Sequence, residues 1–164
     1  MEVPVDGALG ADIRAGKVGP RVFKIPRRYA EEIIDHAREV APNECCGILA
    51  GKEGQALQLY RAVNAEQSPY RYDIDPQDLY RIYTEVEARG WEFLAIYHSH
   101  PSGEAYPSAT DVRLLGWPGP KGTVDLWPNV YHLIVSLADP GSPLIRAFRI
   151  EEGRITEEPL QVID

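Results

Sequence analysis

The stretch YHSHPSGEAYPSATDV, residues 97–112, gathers side chains that bind metal ions. His98 and His100 stand one residue apart at the end of an apolar run that reads as a strand. Side chains at i and i+2 share one face of an extended segment, so both imidazoles can aim at one point. Neutral imidazole and carboxylate suit zinc, and three protein ligands leave a fourth position for water. Asp111 can supply the third ligand if the intervening loop folds back. The competing reading is a helix cap: Ser108-x-x-Asp111 resembles a capping box, with Asp in place of the more usual Glu or Gln. The two readings coexist, because a cap fixes the backbone that carries Asp111.

Hydrolysis at such a site also needs an acidic residue near the water and outside the metal's own shell. Glu44 is a candidate because it precedes the apolar segment CCGILAG, where an acid opening a buried strand is unusual. By composition alone it reads as a solvated loop residue, one of 25 acidic side chains. Glu104, in the loop after Pro101, is a weaker candidate base. His36 lies at the edge of an apolar stripe and reads as solvent-facing; His132, inside a strand, reads as packed.

These residues must be positioned by regular elements. VFKI (22–25) reads as a short strand, and Pro26 suits the first helical position. Ala30, Ile33, Ile34, Ala37 and Val40 recur at helical spacing from Arg27 to Val40, and APNE ends the pattern. CCGILAG (45–51) and QALQLYRAVNA (55–65) read as an antiparallel pair around GKEG, with Cys45 and Cys46 on opposite faces. Asp75 caps a second helix that begins with Pro76 and stops at Gly90. WEFLAIY (91–97) is a strand leading into the histidines, and residues 108–115 form a short helix. Residues 117–128 hold Gly and Pro without period and read as a loop, with Trp117 and Trp127 packed locally. Residues 130–137 form a strand, and 143–160 a hairpin turning at Glu152-Gly153. Interleaved strands and helices favour a sheet covered by helices.

The chain has 164 residues, which suits one domain over residues 21–164, preceded by a loose arm over 1–20. Its net charge of −8 argues against nucleic acid, whose binders need a basic footprint. The two cysteines are neighbours, which rules out a disulfide framework and points to a reducing compartment. No run of about 18 apolar residues suggests a membrane span, and the N-terminus lacks a signal-peptide pattern. A cytoplasmic location is expected. Oligomeric state is left open.

Glu44 with CCGILAG, followed by HSHPSGEAYPSATD, resembles the JAMM motif of MPN-domain metalloproteases of the Mov34/JAB1 clan. That pattern is Glu, a variable gap, His-Ser/Thr-His, seven residues, Ser, two residues, Asp. The resemblance spans about Val22 to Ile155 and is greatest to the compact bacterial and archaeal members. It implies an α/β, three-layer fold, a mixed β-sheet flanked by helices, similar to cytidine deaminases. It implies Zn2+ held by His98, His100 and Asp111, with Glu44 as proton shuttle. Ser108 would polarise the scissile carbonyl. The implied activity is hydrolysis after the C-terminal Gly-Gly of a ubiquitin-like or sulfur-carrier protein. The bond cut would be a lysine isopeptide or a cysteine adduct formed in cysteine biosynthesis. Two alternatives are a RadC-like DNA-repair-associated protein, which the acidic charge disfavours, and a non-catalytic MPN scaffold, which the complete ligand set disfavours.

Overall fold

The computed structural model describes residues 21–120 and 122–164. The expected arm, residues 1–20, lies outside the described residues.

The centre is a six-stranded mixed sheet. Its strands, in chain order, are β2 (Cys46–Lys52), β3 (Gln55–Ala62), β4 (Glu92–His100), β7 (Tyr131–Ser136), β8 (Leu144–Glu151) and β9 (Arg154–Glu158). Their spatial order is β3-β2-β4-β7-β8-β9. Only β4 and β7 run parallel; every other neighbour in this sheet is antiparallel. A strand β1 (Phe23–Pro26) pairs in parallel with β10 (Leu160–Ile163) as a separate ribbon.

Each face of the sheet is sealed by a helix. Helix α1 (Arg27–Val40) turns Tyr29, Ala30, Ile33, His36 and Ala37 inward, a stripe at helical spacing. It packs with Phe23 and Ile25 onto Leu49, Leu59, Ala95, Tyr97, Leu133 and Val135. Ile33 is fully buried there, and truncating it to Ala would cost about 2–5 kcal/mol. Helix α2 (Pro76–Ala88) presses Ile82 and Val86 onto Cys46, Ile48, Ala50, Tyr60 and Ile96 on the opposite face. Its start is set by Asp75, whose carboxylate accepts from the Asp78 N–H at 3.2 Å. Its stop is Gly90, which takes φ +72° just beyond the last turn. Cys45 and Cys46 do point to opposite faces, one in each apolar cluster. Gly47 has a steric reason: a Cβ there would overlap the Tyr97 ring.

Four expectations need correction. Pro26 ends β1 and occupies the N-cap position, one residue before the helix. Strand β4 runs on through His98, Ser99 and His100, because β2 and β7 both continue to pair with it. Residues 117–128 are not simply a loop: β5 (Gly116–Gly119) and β6 (Gly122–Asp125) form an antiparallel ribbon. A two-stranded ribbon tolerates the missing N–H of Pro118 because each strand is an edge. Last, His36 is buried rather than solvent-facing, and its Nδ1 shares a 2.8 Å hydrogen bond with the Tyr97 hydroxyl.

Candidate metal centre

Strand β4 carries both histidines at its C-terminal end. His98 stands beside Cys46 of β2 and Ile134 of β7, and His100 beside Ser136. Two-residue periodicity puts Ile96, His98 and His100 on the α2 face. Ser99 points to the other face, where its fully buried hydroxyl accepts from the Cys45 N–H at 2.8 Å. The Ser99 N–H donates to the Cys45 carbonyl at 3.1 Å. These bonds carry the β2–β4 pairing one step past Cys46, so Glu44 falls opposite His100 and on its face.

The segment after β4 folds back as the third ligand requires. His100 Nδ1 donates to the Glu104 carbonyl at 2.7 Å, and the Ser136 hydroxyl donates to the Gly103 carbonyl at 2.5 Å. Ala105 is buried against Ile134 and Phe148. Glu104 thus contributes its carbonyl, while its side chain is exposed. Helix α3 (Ala109–Leu114) follows, docked through Val112 onto the same small cluster.

Ser108 and Asp111 make a complete capping box. The Ser108 hydroxyl accepts from the Asp111 N–H at 3.0 Å, and Asp111 Oδ2 accepts from the Ser108 N–H at 2.9 Å. The same Oδ2 lies 3.1 Å from His98 Nε2 and 3.1 Å from His100 Nε2, and the two Nε2 atoms are 3.2 Å apart. Cap and metal-ligand geometry therefore coincide in one carboxylate oxygen. Among the described residues, His98, His100 and Asp111 are the one group of three such side chains able to hold a metal ion.

The electrostatics agree. Burial raises the cost of charge on Asp111, but hydrogen bonds from His100 and His98 outweigh it and hold its carboxyl well below the usual range. Burial pushes His98 down despite Asp111. For His100, burial acts downward, yet the bonds to Asp111 and the Glu104 carbonyl leave its affinity for a proton raised. The reason is local: a carbonyl only accepts, so His100 Nδ1 must carry hydrogen. A neutral His100 then turns an Nε2 lone pair toward the Asp111 oxygen, another acceptor. Two acceptors 3.1 Å apart need a positive charge between them.

Glu44 is 2% exposed, not solvated. Burial, opposed by His100 and reinforced by Asp111, raises its carboxyl to about 8. Its Oε1 is buried without a hydrogen-bond partner. Of the other histidines, His132 is packed as expected, and burial beside His98 pushes it down to about 4. Trp127 packs on Phe93 with ring centroids 5.9 Å apart; the Trp117 side chain lies outside the described residues.

Two neighbours of the centre were not legible in the sequence. The Tyr72 ring stacks on His98 with centroids 4.4 Å apart and planes 20° apart. It also lines a cleft of about 360 Å³ running past Asp111, walled by Ile74, Leu79, Ile96, Leu114 and Trp127. Buried Asn64 holds the segment that carries Tyr72. Both lie in VNAEQSPYRYDID, whose composition signals a turn and nothing about what the turn covers.

Comparison with known proteins gives a consistent picture. A CysO-cysteine peptidase of Mycobacterium tuberculosis is 36% identical over 145 residues, covering 87% of this chain and 92% of that protein. A probable TtuB-protein conjugate cleaving protease of Thermus thermophilus is 34% identical over 153 residues, covering 93% and 92%. A Desulfitobacterium hafniense protein with a known solution structure superposes with a TM-score of 0.74 at 30% identity, covering 88% and 94%. The resemblance drawn from the motif, and the mixed sheet between helices expected with it, are borne out. Residues 26–151 match the family described as prokaryotic homologs of the JAB domain, and the chain belongs to that family.

Proposed function

We propose that this chain is a zinc-dependent hydrolase that cuts after the C-terminal Gly-Gly of a ubiquitin-like or sulfur-carrier protein. The hydrolase class and the kind of substrate agree with its relatives, a peptidase acting on CysO-cysteine and a protease of TtuB-protein conjugates. Residues 21–164 are read as one catalytic domain. The cytoplasmic setting belongs to the same proposal and rests on the two free, buried cysteines. Among the described residues, no helix is long and apolar enough to cross a membrane.

The observation that carries the proposal is the triangle of His98 Nε2, His100 Nε2 and Asp111 Oδ2, with sides of 3.1, 3.1 and 3.2 Å. Ligand atoms about 2.0–2.1 Å from a tetrahedral zinc ion lie about 3.3–3.4 Å from each other. The triangle is nearly the face of such a tetrahedron, and two imidazoles with one carboxylate are the donors zinc prefers. His98, His100 and Asp111 would hold the ion. When bound it would polarise the scissile carbonyl and make a water acidic near neutral pH.

The chain's own residues do the rest. Glu44 is buried on the side of His100 with one carboxylate oxygen unpartnered; a cation bound at the centre would hold that carboxyl ionised, so it can take a proton from the attacking water. It then returns that proton to the leaving amine. Ser108 spends an oxygen lone pair on the helix cap, which leaves its O–H to donate to the carbonyl oxygen as charge develops there. The Tyr72 ring covers His98 and shields it from bulk water. The Glu104 carbonyl orients His100 so that Nε2 faces the centre. A Gly-Gly tail suits the cleft past Asp111 because a chain without side chains can approach the centre closely.

The test uses carrier proteins ending in Gly-Gly or Gly-Ala, each joined to cysteine or to a lysine side chain. Zinc near one per chain, with cleavage confined to Gly-Gly adducts, is expected. Equal cleavage of Gly-Ala tails would remove the substrate assignment, and full activity in zinc-free protein would remove the metal. Cysteine against lysine adducts then separates the two leaving groups.

A further inference from the structure

Asn64 is buried, and every hydrogen-bonding position of its amide is used. Nδ2 donates to the Glu44 carbonyl and to the Arg71 carbonyl, both at 3.1 Å. Oδ1 accepts from the Glu66 N–H and the Asp73 N–H, both at 3.0 Å. A side-chain amide has two donor hydrogens and two acceptor lone pairs, so no other residue type makes this set of bonds in the same space. Turn backbones usually leave such bonds to water. Here one side chain supplies them all.

What these bonds hold is the start of β2. Glu44 precedes Cys46, the first residue of that strand, and it depends on other supports. Its carbonyl accepts from Asn64 and its N–H donates to the Ser68 carbonyl at 2.8 Å. Both backbone groups of Glu44 are therefore tied to residues 64–73. The far end of that segment carries Tyr72, stacked on His98. Asn64 sits at the junction, bonded to Glu44 on one side and to Arg71 and Asp73, which flank Tyr72, on the other.

We infer that Asn64 is a positioning residue: it sets the Glu44 carboxylate against His98, His100 and Asp111, and couples that placement to the Tyr72 cover. This rests on the reading of Glu44 as proton carrier. Asn64 touches neither substrate nor ion, and acts through Glu44. The three ligands sit on β4 and α3, which Asn64 does not contact among the described hydrogen bonds, so its loss shifts the base and leaves the ligand triangle in place.

The experiment compares Asn64→Asp and Asn64→Ala in the full chain. Asn64→Asp keeps the two accepted bonds and loses both donated ones; Asn64→Ala loses all four. Both variants are expected to retain wild-type zinc. Turnover of a carrier–Gly-Gly–cysteine adduct is expected to fall about 10- to 100-fold, the range for groups that orient a metal site from outside, with KM little changed. Placed on top of Glu44→Gln, Asn64→Asp is expected to add little, because groups acting as one unit are not additive. In metal-free protein, hydrogen exchange of the Glu44 amide is expected to accelerate while that of His98 does not. Full additivity with Glu44→Gln, unchanged turnover, or unchanged exchange at Glu44 would each overturn the inference. So would failure of both variants to fold, which would make Asn64 a residue of global stability. If Glu44→Gln alone keeps wild-type turnover, the proton-carrier reading itself fails, a distinct result.

Discussion

The two faces of the central sheet each bury a histidine-containing cluster, and the clusters differ in how they are completed. Under α1, His36 Nδ1 and the Tyr97 hydroxyl close one hydrogen bond at 2.8 Å, with the rings edge-on at 5.9 Å. Burial pushes His36 down to about 4, so it is neutral at pH 7. At that contact one donor meets one acceptor. Under α2 and α3, His98 Nε2, His100 Nε2 and Asp111 Oδ2 lie within 3.2 Å of one another, and Glu44 adds a buried, unpartnered oxygen. Burial is common to both faces. Among the described residues, three metal-binding atoms converge only on the second, where a bound cation would draw on all three lone pairs.

This contrast breaks most sharply at the proposed ligands. His100→Ala is expected to remove most of the zinc and the activity with it, read by elemental analysis and by turnover on one adduct. Equal, stoichiometric zinc in wild type and variant would show that the triangle is not the metal site. Glu44→Gln should separate from it: zinc stays, and turnover falls by about 10²- to 10⁴-fold, the usual range for a lost general base. Loss of zinc in Glu44→Gln would make Glu44 a ligand instead.

The α1 face should respond in stability alone. Tyr97→Phe removes the hydroxyl and leaves His36 Nδ1 without its partner, at a cost of about 1–3 kcal/mol. Thermal unfolding should register that loss while zinc content and turnover stay at wild-type levels. A large drop in turnover would mean that the two faces are coupled.

The smallest effect sharpens the comparison by pH. A carboxyl raised from 4.5 to about 8 holds a proton in the folded state that the unfolded chain has already released. Between those values the folded state binds more protons, so stability falls as pH rises. Metal-free wild-type protein is therefore expected to lose a few degrees more in Tm between pH 5 and pH 9 than Glu44→Gln does. His98, His100 and Asp111 are shared by both proteins, so the difference isolates Glu44. Parallel Tm curves would contradict a buried, high-affinity carboxyl.

Pieces whose spacing is local can be read from the residues alone. His98 and His100 share a face because strands repeat every two residues, and Ser108 and Asp111 meet because a helix start brings the cap and the third residue together. Helices α1 and α2 were legible for the same reason, from apolar spacing and from Asp75-Pro76 and Gly90. The remaining features arise from contacts between distant segments. Glu44 reads as a solvated acid until β2 pairs antiparallel with β4 and sets it opposite His100. His36 reads as a surface residue until Tyr97, from the middle of the sheet, reaches it. The ribbon at 116–125 was hidden because Gly and Pro mark turns in composition, whereas pairing depends on where two edges meet. Asn64 looks like any turn residue until its four bonds are seen to join Glu44 to the segment over His98. Each of these depends on strand register or chain crossing between distant residues, and local residue preference carries no information about either.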